Sequence, residues 1–171
     1  MFWKKKKNPC EICGKMHTKL PAIGFDAPFY YHELSDEEKA EMAEISDDFC
    51  VITHPEQTDR FIRTVLSIPV IDGCEELDCG IWVSVSEKTF EEYKSEFKKD
   101  SELKTYFGMI SNEWNDYEKS TLNLHVNIET RNGNLRREIT PHEADHPLIS
   151  DWENGITLSE AEKRIERIKI I

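Results

Sequence analysis

Positive charge is scarce in this sequence: 22 lysines and arginines stand against 34 aspartates and glutamates in 171 residues, a formal net charge of −12. Nucleic-acid binding depends on cationic groups that displace phosphate counterions, so a general role of that kind is disfavoured. Long apolar runs are missing too. No stretch of 18 apolar residues exists, which leaves no helical membrane span, and Met1-Phe2-Trp3 runs into lysines rather than into the apolar core of a secretory signal. Cysteines are few and odd in number, five in all, which suits reduced thiols and a metal site better than a disulfide framework. Also absent are a G-x-S-x-G elbow, a phosphate-binding glycine loop and a dinucleotide-binding fingerprint. The expectation is a soluble cytoplasmic protein.

What positive charge there is begins in one run, Lys4 to Lys7. Residues 1–8 read as a disordered basic tail, and 9–171 as a single domain that includes a small knuckle at 9–21. The chain is long enough to bury a core without disulfide support. Its acidic body suits a basic protein partner, although acidity also serves solubility.

The knuckle is Cys10-Glu11-Ile12-Cys13-Gly14-Lys15-Met16-His17. Two cysteines two residues apart can aim both thiolates at one ion from a tight turn, and Gly14 can take the positive φ such a turn needs. Cys10, Cys13 and His17 are therefore candidate ligands for a structural zinc, which needs a fourth. Cys50 is the favoured fourth, because it lies in a short strand directly after the first capped helix. The competing reading of Cys50 is a small buried hydrophobe. Cys74 and Cys79 flank the acidic turn Glu75-Glu76-Leu77-Asp78 and read as thiols near a loop.

Ser35 and Glu38 form a capping box that opens a helix to about Ile45. Strands are expected at Phe49–Thr53, Arg60–Val70 and Ile81–Val85, then a helix from about Glu87 to Lys98 with Phe90, Tyr93 and Phe97 on one face. Thr121 to Arg131 alternates again, and Asn132-Gly133 signals a hairpin returning through Leu135 to Thr140. A second capping box, Thr157 with Glu160, opens a last helix with Leu158, Ala161, Ile165 and Ile168 along one stripe. The sum is α+β: a mostly antiparallel sheet with flanking helices and a small N-terminal zinc knuckle.

His142-Glu143-Ala144-Asp145-His146 is a literal H-E-x-x-H, the zinc-protease signature. That chemistry needs both histidines on one face of a helix. Pro141 precedes the motif and Pro147 follows His146 at once, which pushes His146 toward extended backbone. A solvated loop is the plainer reading.

Many separated blocks appear here in the order they take in a bacterial family of uncharacterised proteins, a domain of unknown function, which the chain resembles. They include Cys10 to Pro21, Phe25-Asp26-Ala27-Pro28, Asp48-Phe49-Cys50-Val51-Ile52, Arg60-Phe61-Ile62-Arg63, Gly80 to Glu87, Tyr106-Phe107-Gly108 and His146-Pro147-Leu148. The resemblance implies that the Cys50 position belongs to the family pattern. It also implies that His146-Pro147 belongs while the full H-E-x-x-H does not. It brings no known activity. The function expected is a non-catalytic, zinc-stabilised domain that binds another protein, with an immunity-like masking of a basic toxin or nuclease as one concrete version. The alternative is a metal-dependent hydrolase with an open site at Cys10, Cys13 and His17, or at His142 and His146.

Overall fold

Alternation of apolar and polar residues gives the two longest strands, and these pair with each other. The computed structural model describes residues 9–10, 13–15, 19–97, 103–130 and 136–169. In chain order its elements are β1 (Ile23–Gly24), α1 (Phe29–His32), α2 (Asp36–Met42), β2 (Ala43–Ile45), β3 (Phe49–Thr53), β4 (Thr58–Pro69) and β5 (Glu76–Val85). There follow α3 (Glu87–Glu96), β6 (Thr105–Ile110), β7 (His125–Glu129), β8 (Glu138–Pro141), α4 (Pro147–Asn154) and α5 (Leu158–Lys169). The basic tail of residues 1–8 and the Asn132-Gly133 turn lie outside the described residues.

The strands run in the order β1-β5-β6-β7-β8-β4-β3-β2, and β4 also pairs with β5, so that β4 to β8 close into a five-stranded ring. Within the ring β4–β5, β5–β6, β6–β7 and β7–β8 are antiparallel. The ring closes through a parallel bridge, Val65↔Glu138. β3 and β2 extend the sheet antiparallel from β4, and β1 lies parallel to β5. The α+β class and the mostly antiparallel sheet stand.

Period-2 patterning sets the faces. Ile62, Thr64, Leu66 and Ile68 of β4 are buried, and the three aliphatics join Ile81, Val83, Ile110, Val126, Ile128 and Ile139 in the main core. Phe90 and Tyr93 of α3, Leu148 of α4 and Ala161 and Ile165 of α5 pack into the same cluster. A second cluster on the other face of β3, β4 and β5 holds Cys50, Ile52, Phe61 and Trp82, with Tyr31, Leu34 and Met42 against it.

Several elements differ from the sequence reading, β5 among them, which starts at Glu76 rather than Ile81. The Ser35–Glu38 box forms, Glu38 N–H donating to Ser35 Oγ at 3.2 Å and Ser35 N–H to the Glu38 carboxylate at 2.8 Å. The helix nevertheless stops at Met42, and Ala43–Ile45 pairs as β2 with the free edge of β3, tertiary pairing overriding local propensity. The strand expected from Thr121 starts only at His125, since Asn123 turns the chain with a φ of 65°. β6 was not expected, and neither was α4, whose first residue is Pro147.

α5 is fastened by a buried network. Thr157 Oγ1 accepts the Glu160 N–H at 3.1 Å, and the Glu160 carboxylate turns to Arg164 Nε at 3.0 Å. Arg164, 5% exposed, donates from Nη2 to Asp151 at 2.8 Å and from Nη1 to the Tyr117 hydroxyl at 2.8 Å. Tyr117 in turn donates to Asp151 at 2.8 Å. Burial holds the Tyr117 hydroxyl well above its usual range, Arg164 opposing only in part. Among the described residues, no helix is long and apolar enough to cross a membrane.

Candidate metal centre

The N-terminal turn is built as its spacing dictates. Gly14 N–H donates to Cys10 O at 2.7 Å and Cys10 N–H to Lys15 O at 2.9 Å, with Gly14 at a φ of 69°. Glycine alone reaches that backbone region without a Cβ penalty. The turn therefore places Cys10 and Cys13 side by side.

The third thiol is Cys74, from the loop between β4 and β5. That loop is anchored on both flanks. Ile156 N–H donates to Pro69 O at 2.9 Å and Ile71 N–H to Ile156 O at 2.9 Å. Gly155 makes this possible with a φ of 81°, where a Cβ would lie 2.8 Å from Pro69 O. The Asp72 carboxylate accepts the Leu158 N–H at 2.6 Å, and Glu75 accepts the Leu20 N–H at 2.7 Å. The sulfur atoms of Cys10, Cys13 and Cys74 all lie within 4.8 Å of one another. Thiolates on one tetrahedral zinc stand about 3.8 Å apart, given Zn–S bonds of about 2.3 Å, so a small contraction seats an ion. The three cysteines are a possible metal site.

The electrostatics already separate the thiols. The Lys15 backbone N–H, and after it the Cys74 S–H, hold the Cys13 thiol below its usual value. Hydrogen bonding to Cys13 and then burial push Cys74 up to about 11. Of these two, Cys13 is the first to become a thiolate, the form that binds metal. A cleft of about 510 Å³ adjoins Cys13 and Cys74, walled by Lys15, Leu20, Leu158 and Glu162.

Of the four ligands expected from sequence, the structure brings Cys10 and Cys13 together, and His17 lies outside the described residues. Cys50 sits elsewhere. On β3 it is 0% exposed among Ile52, Phe61 and Trp82, and burial pushes its thiol up to about 12. It is the small buried hydrophobe that was the competing reading. The strand that carries it runs under α1 and α2 rather than under the knuckle. Cys74 takes its place in the cluster. The signal for Cys74 was its position beside Gly73, in the tight connection between two long strands, the kind of turn that presents a ligand. Cys79, by contrast, is buried on β5 against Ile23, its Cα partner on β1.

The H-E-x-x-H does not form a metal site. His142 Nε2 bonds Asn127 Oδ1 at 2.7 Å beyond the end of β8. His146 is extended, with φ −144° and ψ 136°, and caps α4: its Nδ1 accepts the Leu148 N–H at 3.0 Å. Its Nε2 reaches Ser120 O at 3.0 Å and Lys119 O at 3.2 Å, which fixes the Nε2–H tautomer. With Pro147 at N1, the motif is a helix start. His146→Ala is expected to lower stability by about 1–2 kcal/mol through the lost cap, with metal content unchanged. Denaturant unfolding and metal analysis on one preparation check both halves.

No curated protein and no solved structure matches this chain. One family does, over residues 9–156, a span that holds all eight strands, α4 and the three clustered cysteines. The chain belongs to the family described as an uncharacterised protein conserved in bacteria, DUF2199.

Proposed function

We propose that this is a zinc-stapled binding domain for another protein, with Zn²⁺ held by Cys10, Cys13, Cys74 and His17 and no catalytic role for the metal. The observation that carries the reading is the set of three sulfur atoms within 4.8 Å of one another, drawn from two distant parts of the chain. Thiolate-rich, four-ligand zinc is closed to substrate and contributes to folding. The net charge of −12 favours a basic partner, which long-range attraction would steer to this surface. An immunity-like masking of a basic toxin or nuclease is the concrete version.

Cobalt substitution tests the metal half. Four protein ligands give a tetrahedral Co²⁺ spectrum with thiolate charge-transfer bands, insensitive to azide and altered by His17→Ala. An azide-sensitive spectrum that His17→Ala leaves unchanged would replace this reading with the second one, a metal-dependent hydrolase. The 510 Å³ cleft beside Cys13 and Cys74 is the observation in that reading's favour. For the partner half, a basic protein co-purifying from the native bacterium should dissociate as salt rises. Recovery of the chain alone at low salt counts against it.

A further inference from the structure

The second face of the β4–β5 pair carries an arginine, Arg63, that makes no ion pair among the described residues. Across these strands Arg63 stands opposite Trp82, Val65 opposite Gly80 and Ser67 opposite Asp78. β1 approaches β5 so closely that a Cβ on Gly24 would lie 3.1 Å from the Gly80 backbone. Gly80 forms a floor under the arginine: a Cβ there would meet Arg63 Nε at 3.5 Å and Nη2 at 3.6 Å. The Trp82 ring supports the guanidinium from the side, 5.9 Å from its carbon. The result is a cleft of about 300 Å³ walled by Ile23, Gly24, Arg63, Asp78, Gly80 and Arg136.

The charge in this cleft is unusual for so acidic a protein. Among the described residues Arg63 has no ion pair, and its Nε is buried with no hydrogen-bond partner. Burial, and after it the neighbouring Arg136, lower the proton affinity of Arg63; Asp48, Asp47 and Asp26 act in the opposite sense without overcoming them. Arg136 holds Asp48 at 3.0 Å. Asp78, the acid in the wall, accepts from Ser67 Oγ at 2.8 Å. With Nε sealed against Gly80, the terminal Nη groups remain as donors in a fixed fork, the geometry that suits carboxylate and phosphate.

We propose that this cleft binds a small oxyanion, a carboxylate or phosphate group, on the Nη donors of Arg63 with Arg136 as the second cation. Its volume lies at the small end of ligand pockets, which fits a compact anion rather than a chain segment. The site is separate from the three cysteines and stands whether or not they bind metal.

The probes are inorganic phosphate and succinate, titrated by calorimetry and thermal shift at ionic strength held constant with sodium chloride. Saturable binding of at least one is expected, with the stronger of the two identifying the oxyanion class. Arg63→Lys keeps the charge and loses the fork, and should weaken binding by about tenfold or more. Arg136→Gln removes the second cation of the cleft; it should weaken binding as well, and it reads the site even where Arg63→Lys fails to fold. No saturable binding of either probe, or wild-type affinity in both variants, would overturn the proposal.

Discussion

Cys74→Ala is expected to empty the metal site, and Cys50→Ala is expected to leave it full. The contrast follows from placement: Cys74 shares a cluster of three sulfurs with Cys10 and Cys13, whereas Cys50 is enclosed by Ile52, Phe61 and Trp82. A ligand bound at 1,000 times its dissociation constant adds about 4 kcal/mol to stability. In a protein of this size each kcal/mol moves Tm by about 2–4 °C, so losing the metal should cost on the order of 10 °C. Cys74→Ala should show that loss together with a metal-to-protein ratio falling from about one toward zero, and a chelator should reproduce it in the wild type. Cys50→Ala removes one sulfur from a packed cluster, worth about 1–2 kcal/mol, with full metal retained. Metal analysis and thermal melts on the two variants decide it; a metal-free Cys50→Ala beside a fully loaded Cys74→Ala would reverse the assignment.

Arg164→Met should cost about 3 kcal/mol, the lower end for a broken buried ion pair. The lower end applies because Asp151 is 25% exposed and Glu160 36% exposed, so water partly replaces the lost guanidinium. Methionine keeps the apolar stem but leaves the Asp151 carboxylate with the Tyr117 hydroxyl and no cation to balance its charge. Lysine should rescue little, since one ammonium cannot reproduce three directed contacts. Arg164→Met with Asp151→Asn should recover part of the loss by removing the orphaned charge, a coupling that a double-mutant cycle in urea measures.

The same network gives a pH signature. Burial alone would raise the Glu160 carboxyl, but Arg164 and Arg167 more than offset it and hold it below the usual carboxylate value. Its stabilisation is therefore complete above that usual value and is lost as the pH falls through the depressed one. Arg164→Met should flatten this acid limb of the stability curve.

How far the sequence disclosed all this depends on the reach of each signal. Phe49–Thr53 was read to the residue, and α3 begins at Glu87 as expected, with Phe90 and Tyr93 buried on the face its spacing marked, because such signals are local. β6 went unread: Thr105 to Ile110 contains Gly108, where a Cβ would lie 3.1 Å from both Ile128 Cδ1 and Ser84 O, so its strand character comes from neighbours on β5 and β7. α4 went unread because its signal, a histidine cap followed by proline, coincided with a better-known motif. The knuckle's pairing of Cys10 with Cys13 was legible, as was the positive φ of Gly14. The third thiol was not. Cys74 meets the knuckle only because Leu20 and Leu158 are each tied to its loop by a carboxylate, contacts made between residues 55 and 86 positions apart. Spacing rules reach across one turn, and this site is assembled across the chain.

The single parallel bridge between Val65 and Glu138 has a kinetic consequence. Every other junction of the ring joins strands that follow one another along the chain. This one cannot start until the four intervening connections have formed, so the circle is completed last and at the highest entropic cost of loop closure. The bridge is then a seam. It is the place where the ring would part first, exposing two strand edges and giving any assembly of this protein by strand exchange its point of entry.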